Sequence, residues 1–222
     1  LTTRRMMVIL LIIIPLSACM RVPSGYLSHS DPVLWMYQTS FSDEGTVLYM
    51  QEAGGEVRRI AGGVLPGSHR EWNGNILFLR DQEELWYAGA GQAPYKLLES
   101  IQPYQYGFMD HGRRLYAITD QYELVFKAFG REAQVVGERI VHVLPLEHRL
   151  LAQRDDGTIL SLDWTGQSHV LVKGAVSLES AGDSRYAIIR RDDGLLVTNG
   201  EEIHYSIHPE TIGPLSITPN GQ

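Results

Sequence analysis

Apolar residues along this chain come in short runs rich in aromatic and β-branched types, and each run is cut by Gly, Asp or Asn. Runs of that length, bounded by turn formers, read as strands rather than helices. Five of them are Val47-Leu48-Tyr49-Met50, Ile76-Leu77-Phe78-Leu79, Leu115-Tyr116-Ala117-Ile118, Leu150-Leu151-Ala152 and Tyr186-Ala187-Ile188-Ile189. After the last four the chain passes an acidic turn, at Asp81-Gln82-Glu83, Asp120-Gln121-Tyr122, Asp155-Asp156-Gly157 and Asp192-Asp193-Gly194. A second apolar stretch follows each turn: Leu85-Trp86-Tyr87, Leu124-Val125-Phe126, Ile159-Leu160 and Leu195-Leu196-Val197. Asp and Gly accept the turn and left-handed conformations that tight hairpins demand. A third strand is then predicted at Tyr95-Lys96-Leu97-Leu98, Gln134-Val135-Val136, Val170-Leu171-Val172 and Ile203-His204-Tyr205.

The pattern repeats. Gly-centred turns fall at Gly55, Gly91, Gly130, Gly166 and Gly200, at spacings of 36, 39, 36 and 34 residues. A further turn precedes each first strand, at Ser42-Asp43-Glu44-Gly45, Trp72-Asn73-Gly74, Met109-Asp110-His111-Gly112, Glu147-His148-Arg149, Gly182-Asp183-Ser184 and Thr218-Pro219-Asn220-Gly221. Short strands in units of roughly 40 residues match a propeller blade, which cannot bury both faces alone and so must stack on its neighbours. The expected fold is therefore all-β, a small β-propeller of about five four-stranded blades over residues 33–222. An open β-meander or a β-sandwich is the alternative. Pro214-Leu215-Ser216-Ile217 would be the inner strand of a blade whose remainder begins near Val47, closing the ring. The turns at Phe41-Ser42-Asp43-Glu44-Gly45-Thr46 and Ile217-Thr218-Pro219-Asn220-Gly221 resemble the Ser-Pro-Asp-Gly turns of TolB-like propeller repeats, and that resemblance implies the same architecture.

The N-terminus has a different character. Arg4 and Arg5 precede an apolar run from Met6 to Leu16 that is too short to span a bilayer, which needs about 20 apolar residues, and Ser17-Ala18-Cys19 follows. Basic, then apolar, then small is the order of an export signal, here residues 1–18. Leu16-Ser17-Ala18-Cys19 resembles the lipobox of bacterial lipoproteins. The resemblance implies cleavage before Cys19, a diacylglycerol on its thiol and acylation, typically palmitate, of the new amino group. Because Cys19 is the only cysteine, it has no disulfide partner within the chain. Met20 follows it, where an Asp would resemble an inner-membrane retention signal. The location expected is thus the outer membrane, with a periplasmic-facing body on a lipidated tether of residues 19–32, which holds Pro23, Ser24, Gly25 and Pro32.

Charge narrows the partners. The chain carries a net −7, and removal of the signal takes away Arg4 and Arg5 but no acid. An acidic body argues against sequence-independent nucleic-acid binding, which needs a basic surface to displace counterions. The partners expected are the membrane, through lipid on Cys19, and an envelope protein.

Signatures of chemistry are sparse. The eight His include no His-Glu-x-x-His motif of the metalloprotease kind, so no metal and no cofactor is expected. His111 and His148 sit in corresponding turns, His69 in a connector, and His142 and His204 on strand faces. Gly89-Ala90-Gly91 lies between strands rather than before a helix, and no Gly-x-Ser-x-Gly elbow occurs. Asp155-Asp156 and Asp192-Asp193 lack a calcium-ligand loop and read as solvated hairpin tips. At least three of Trp35, Trp72, Trp86 and Trp164 are expected in the core, since aromatics on propeller strands pack between blades. The function expected is a non-enzymatic protein-interaction module accessory to an envelope assembly, secretion or export system. The alternative is a glycan-binding protein or enzyme, which requires Arg80, Asp81, Asp120, Arg154, Asp155, Arg190 and Asp192 to converge on an axial pocket.

Overall fold

The computed structural model describes residues 33–39, 45–52, 54–81, 83–89, 92–182 and 184–207. Among them every regular element is a β-strand, as the short apolar runs predict. The chain divides into two compact units, residues 1–103 and 104–222. The first unit holds a sheet of β1 (Val33–Thr39), β2 (Thr46–Glu52) and β3 (Arg58–Ala61), followed by a sheet of β4 (Arg70–Trp72), β5 (Asn75–Arg80), β6 (Glu84–Ala88) and β7 (Tyr95–Leu98).

The second unit holds three more sheets, the first opening with a strand whose initial residues belong to the first unit. They are β8 (Ile101–Met109), β9 (Arg114–Thr119), β10 (Leu124–Ala128) and β11 (Ala133–Gly137); β12 (Ile140–Pro145), β13 (Leu150–Arg154), β14 (Ile159–Leu162) and β15 (Ser168–Val172); and β16 (Ala175–Ser180), β17 (Ala187–Arg191), β18 (Gly194–Thr198) and β19 (Ile203–Ile207). Every sheet is an antiparallel meander in chain order. Five such sheets make the propeller-type all-β fold that the repeat predicts. The signal segment, Cys19, the tether, Gly91 and the closing strand at Pro214–Ile217 lie outside the described residues.

Burial explains why the second and third strands of each sheet were legible. A strand covered on both faces is apolar throughout rather than alternating. Ile76, Leu77, Phe78 and Leu79 of β5 are all 0% exposed, and every residue of β14 and β18 is buried. In the first unit, Leu48 and Ala61 pack against Ile76, Phe78 and Ala88, with Trp86 at the margin. In the second, Met109, Tyr116 and Phe126 pack against Val143, Leu150 and Leu160, and Leu151 and Ile159 against Leu178, Ile189 and Leu196. Each such side chain contributes about 1.5–3 kcal/mol on burial. The fourth strands β7, β11, β15 and β19 are the exposed margins of their sheets.

One hydrogen bond recurs at every junction between successive sheets. The N–H that opens a first strand donates to a carbonyl in the hairpin between the second and third strands of the preceding sheet: Ile101 to Glu83 (3.0 Å), Ile140 to Tyr122 (2.8 Å) and Ala175 to Gly157 (2.8 Å). Val64 donates in the same way to Thr46 (3.0 Å), the first residue of β2. The connection from β1 to β2, whose residues 40–44 lie outside the described residues, therefore takes the place in the repeat of the acidic hairpins at Asp81, Asp120, Asp155 and Asp192. The expectation that Ser42–Gly45 precedes a first strand, and that Val47–Met50 is one, is corrected: β1, β2 and β3 correspond to the second, third and fourth strands of the other sheets. Both kinds of turn use small and acidic residues, so composition does not separate them; the inter-sheet hydrogen bond does.

Candidate interaction face

The candidate site lies at the end of each sheet where the second strand finishes and the first begins. In three sheets the second strand closes on an arginine: Arg80, Arg154 and Arg191; Thr119 takes that place in β9. Arg154 and Arg191 stand opposite the opening residues of their own first strands, Ile140 and Ala175, and Arg80 stands opposite Val64 in an isolated bridge ahead of β4. Immediately afterwards the register slips. His142 pairs with Gln153 and Ser177 with Arg190, which leaves Val141 and Val176 as bulge residues. A bulge re-aims a side chain by placing two residues opposite one. The outcome here is two aliphatic groups turned to solvent, Val141 at 37% and Val176 at 57% exposure.

Arg80, Arg154 and Arg191 are each half-buried. Nε of Arg80, Arg154 and Arg191 is buried without a hydrogen-bond partner among the described residues. The Arg80 guanidinium lies 4.7 Å over the Trp86 ring, and Arg191 Nη2 pairs with Asp193 at 3.0 Å. Arg190, proposed from sequence, is exposed, and strand alternation turns it to the opposite face from Arg191. The residue shared by the repeats is therefore Arg191, which the adjacent Arg-Arg pair disguised.

The carboxylates stand at the surface of their own hairpins. Asp81, Asp120, Asp155 and Asp192 are each exposed, and no group of three or more His, Cys, Asp or Glu forms among the described residues. Asp155 pairs with Arg139 at 2.6 Å. Asp156 accepts the Thr158 N–H at 2.9 Å, a bond that, with the Thr158 side chain and nearby Arg139, holds its carboxyl below the usual range. Both are hairpin tips tied to the connector before β12, as expected of solvated turns. Asp81 borders a shallow cavity of about 320 Å³ in the first unit, formed with Thr46, Gly63, Val64 and Pro66.

Histidines occupy structural places. His111 is in a turn at φ 53°, as expected, whereas the exposed His148 makes its turn without positive φ. His142 is half-buried on β12, and the Val143 N–H donates to Gln105 Oε1 of β8 at 3.4 Å. Burial pushes His142 below its ordinary pKa, partly offset by a hydrogen bond to the Leu178 backbone on β16. His69, just before β4, is lowered by burial and then by Arg70. Trp86 and Trp164 pack on core clusters, as expected. Trp72 does not; it is 39% exposed, because it ends the three-residue strand β4 at the sheet margin. The Trp35 side chain lies outside the described residues.

Sequence reasoning missed Val141 and Val176. Their shared signal was present, in that each follows a buried apolar residue that opens a first strand, Ile140 or Ala175. Tyr122, at φ 62° and 50% exposure, adds an aromatic group on the hairpin that receives Ile140. Positive φ in a bulky residue is strained and persists only where its surroundings hold it.

No protein-family model and no curated protein matches the chain. Solved structures do. PorZ, described as an essential bacterial surface component of the type-IX secretion system of Porphyromonas gingivalis, aligns at TM-score 0.50 and 13% identity over 84% of this chain and 27% of its own. AztD of Citrobacter koseri aligns at 0.52 and 9% over 81% of this chain and 57% of its own. The WD40 domain of SCAP from fission yeast aligns at 0.50 and 9%, over 83% and 56%. This chain thus spans from about a quarter to just over half the length of these proteins, and at such identities the likeness is one of fold.

Proposed function

We propose that this chain is a lipid-anchored bacterial envelope protein whose propeller serves as a non-enzymatic docking module for another envelope protein. The observation that carries the reading is the pair of bulges in successive sheets that present Val141 and Val176 to solvent beside half-buried arginines. Exposed aliphatic groups rimmed by polar ones characterise protein-interaction surfaces. The lipobox-like Leu16-Ser17-Ala18-Cys19 supports a tether to the membrane, with Met20 favouring the outer membrane and a body facing the periplasm. That PorZ, of similar fold, is a component of a secretion system agrees with an accessory role in envelope assembly, secretion or export.

The reading is tested in intact cells with a photo-crosslinking amino acid at Val141 or Val176. A discrete envelope protein captured at both positions, and lost on Val176→Asp, is expected. Capture no greater than that of a lipidated control protein refutes the docking reading. Separately, Cys19→Ser is expected to abolish labelling by radioactive palmitate and to shift the protein from the membrane to the soluble periplasmic fraction. Retention of label would refute the anchor.

A further inference from the structure

One face of the second sheet carries an aromatic ledge that runs from one edge strand to the other. Trp72 of β4 pairs with Asn75 of β5, and Leu77 of β5 pairs with Tyr87 of β6, which pairs in turn with Tyr95 of β7. Directly paired residues share a sheet face, as do residues two apart, so Trp72, Asn75, Tyr87 and Tyr95 project from one side. The rings of Tyr87 and Tyr95 are 5.3 Å apart and tilted by 51°. Trp72 and Tyr95 are 39% and 41% exposed on the two edge strands of the sheet, with the buried Leu77 and the half-buried Tyr87 between them on the same face.

The ledge is also ordered from behind. The Tyr87 hydroxyl donates to Asn75 Oδ1 at 2.6 Å, while Asn75 Nδ2 donates to the carbonyls of Trp72 and Asn73, each at 3.2 Å. Asn75 thereby fixes both the Tyr87 phenol and the backbone under Trp72. Gly89 leaves room for this bond, since a Cβ there would stand 2.6 Å from Asn75 Oδ1 and 3.0 Å from the Tyr87 hydroxyl. The Tyr95 hydroxyl has no hydrogen-bond partner among the described residues. Burial raises the pKa of both phenols, with Tyr95 adding to the effect on Tyr87, so each remains a protonated donor through neutral pH.

We propose that this ledge binds a neutral glycan, with pyranose rings stacked on Trp72 and Tyr95 and sugar hydroxyls bonded to the two phenols. A sugar ring offers an apolar face of C–H groups and an equatorial rim of hydroxyls. The ledge offers flat π faces beside a phenol free to donate and accept. A peptide strand would seek backbone donors and acceptors, whereas these residues present side chains. Arg70 is the one charged group of that face on β4, and its Nη1 donates to the His69 carbonyl at 2.8 Å, which leaves the recognition to neutral groups.

The test is isothermal titration of the protein, purified in detergent, with cellohexaose, chitohexaose and maltohexaose. Saturable binding of at least one is expected. Trp72→Ala and Tyr95→Ala should each weaken it about tenfold or more and Tyr95→Phe about threefold, the smaller loss reflecting the hydroxyl alone. Tyr205→Ala, which removes an exposed ring from β19, should bind as the unaltered protein does. Binding of none of the three hexasaccharides, or full binding by Trp72→Ala, overturns the proposal. So does a Trp72→Ala protein that loses its envelope crosslinks while keeping its sugar, which would make the ledge a protein contact. Crosslinking through Val176 is a separate readout, so failure here leaves the docking reading standing.

Discussion

The Ile140 N–H donates to the carbonyl of Tyr122 across 2.8 Å, joining the first residue of one sheet to the hairpin of the sheet before it. Arg139, the residue before the donor, is left-handed at φ 61°, and Gly63, Ser100 and Gly174 hold the corresponding places at 70°, 54° and 73°. A left-handed residue turns the chain sharply enough that the exposed fourth strand is followed within three residues by a buried opening of the next sheet. The turn and the hydrogen bond are thus one device, repeated along the chain.

Two glycines of that device should respond differently to alanine. At Gly174, φ 73°, an added Cβ would meet nothing within 4 Å, so Gly174→Ala should cost only the left-handed penalty, about 1 kcal/mol. At Gly157, φ 76°, a Cβ would stand 2.7 Å from the Ala175 carbonyl oxygen, on the very residue whose N–H it receives. Gly157→Ala should cost about 3 kcal/mol or more, because backbone must move. Urea denaturation of the two variants checks the order, and equal midpoints would contradict it.

Arg114 Nη1 donates to the Trp164 carbonyl, tying β9 to the turn after β14 within the second unit. Arg114→Met keeps the aliphatic stem but leaves that carbonyl without its charged donor. A loss of about 1.5–3 kcal/mol is expected, accompanied by a change in fluorescence from the half-buried Trp164.

The His142 imidazole, lowered chiefly by burial, should make the fold acid-sensitive. Above the ordinary value of 6.5 the ring is neutral in both states. As pH falls below 6.5 the unfolded chain takes up a proton that the folded one resists, so stability falls with pH. His69 acts in the same sense. Urea midpoints at pH 7.5 and 5.5 should therefore diverge less in His142→Gln than in the unaltered protein.

Position within a sheet should govern the cost of truncation. Phe78 of β5 is 0% exposed and its loss to Ala should cost about 3–5 kcal/mol, whereas Val170 of β15 is 50% exposed and Val170→Ala should stay within about 0.5 kcal/mol. Thermal melts of the pair decide it.

How far each strand was legible follows from what covers it. β5, β9, β14 and β18 declare themselves because both faces of their central residues are buried and most positions select an apolar residue. The first strands are harder to see. β4 is only Arg70-Glu71-Trp72, β8 contains Pro103 and Gly107, and β12 and β16 mix buried with exposed residues around a bulge. Of the seven side chains proposed for an axial site, the exposed carboxylates proved to be turn residues, and the arginines sort by strand alternation, a distinction invisible in the string Arg190-Arg191.

From residues alone came the all-β class, the period of the repeat, the places of its hairpins and the acidic charge, along with the lipobox-like segment at Cys19. Those are local properties, set by turn chemistry, by burial of whole strands and by composition. Tertiary structure decided the frame of the first sheet, the outward turn of Val141 and Val176, and the gathering of Trp72, Asn75, Tyr87 and Tyr95 on one face. Each of these depends on which residue stands opposite which across a hydrogen-bonded pair, and a slip of a single residue reverses every face.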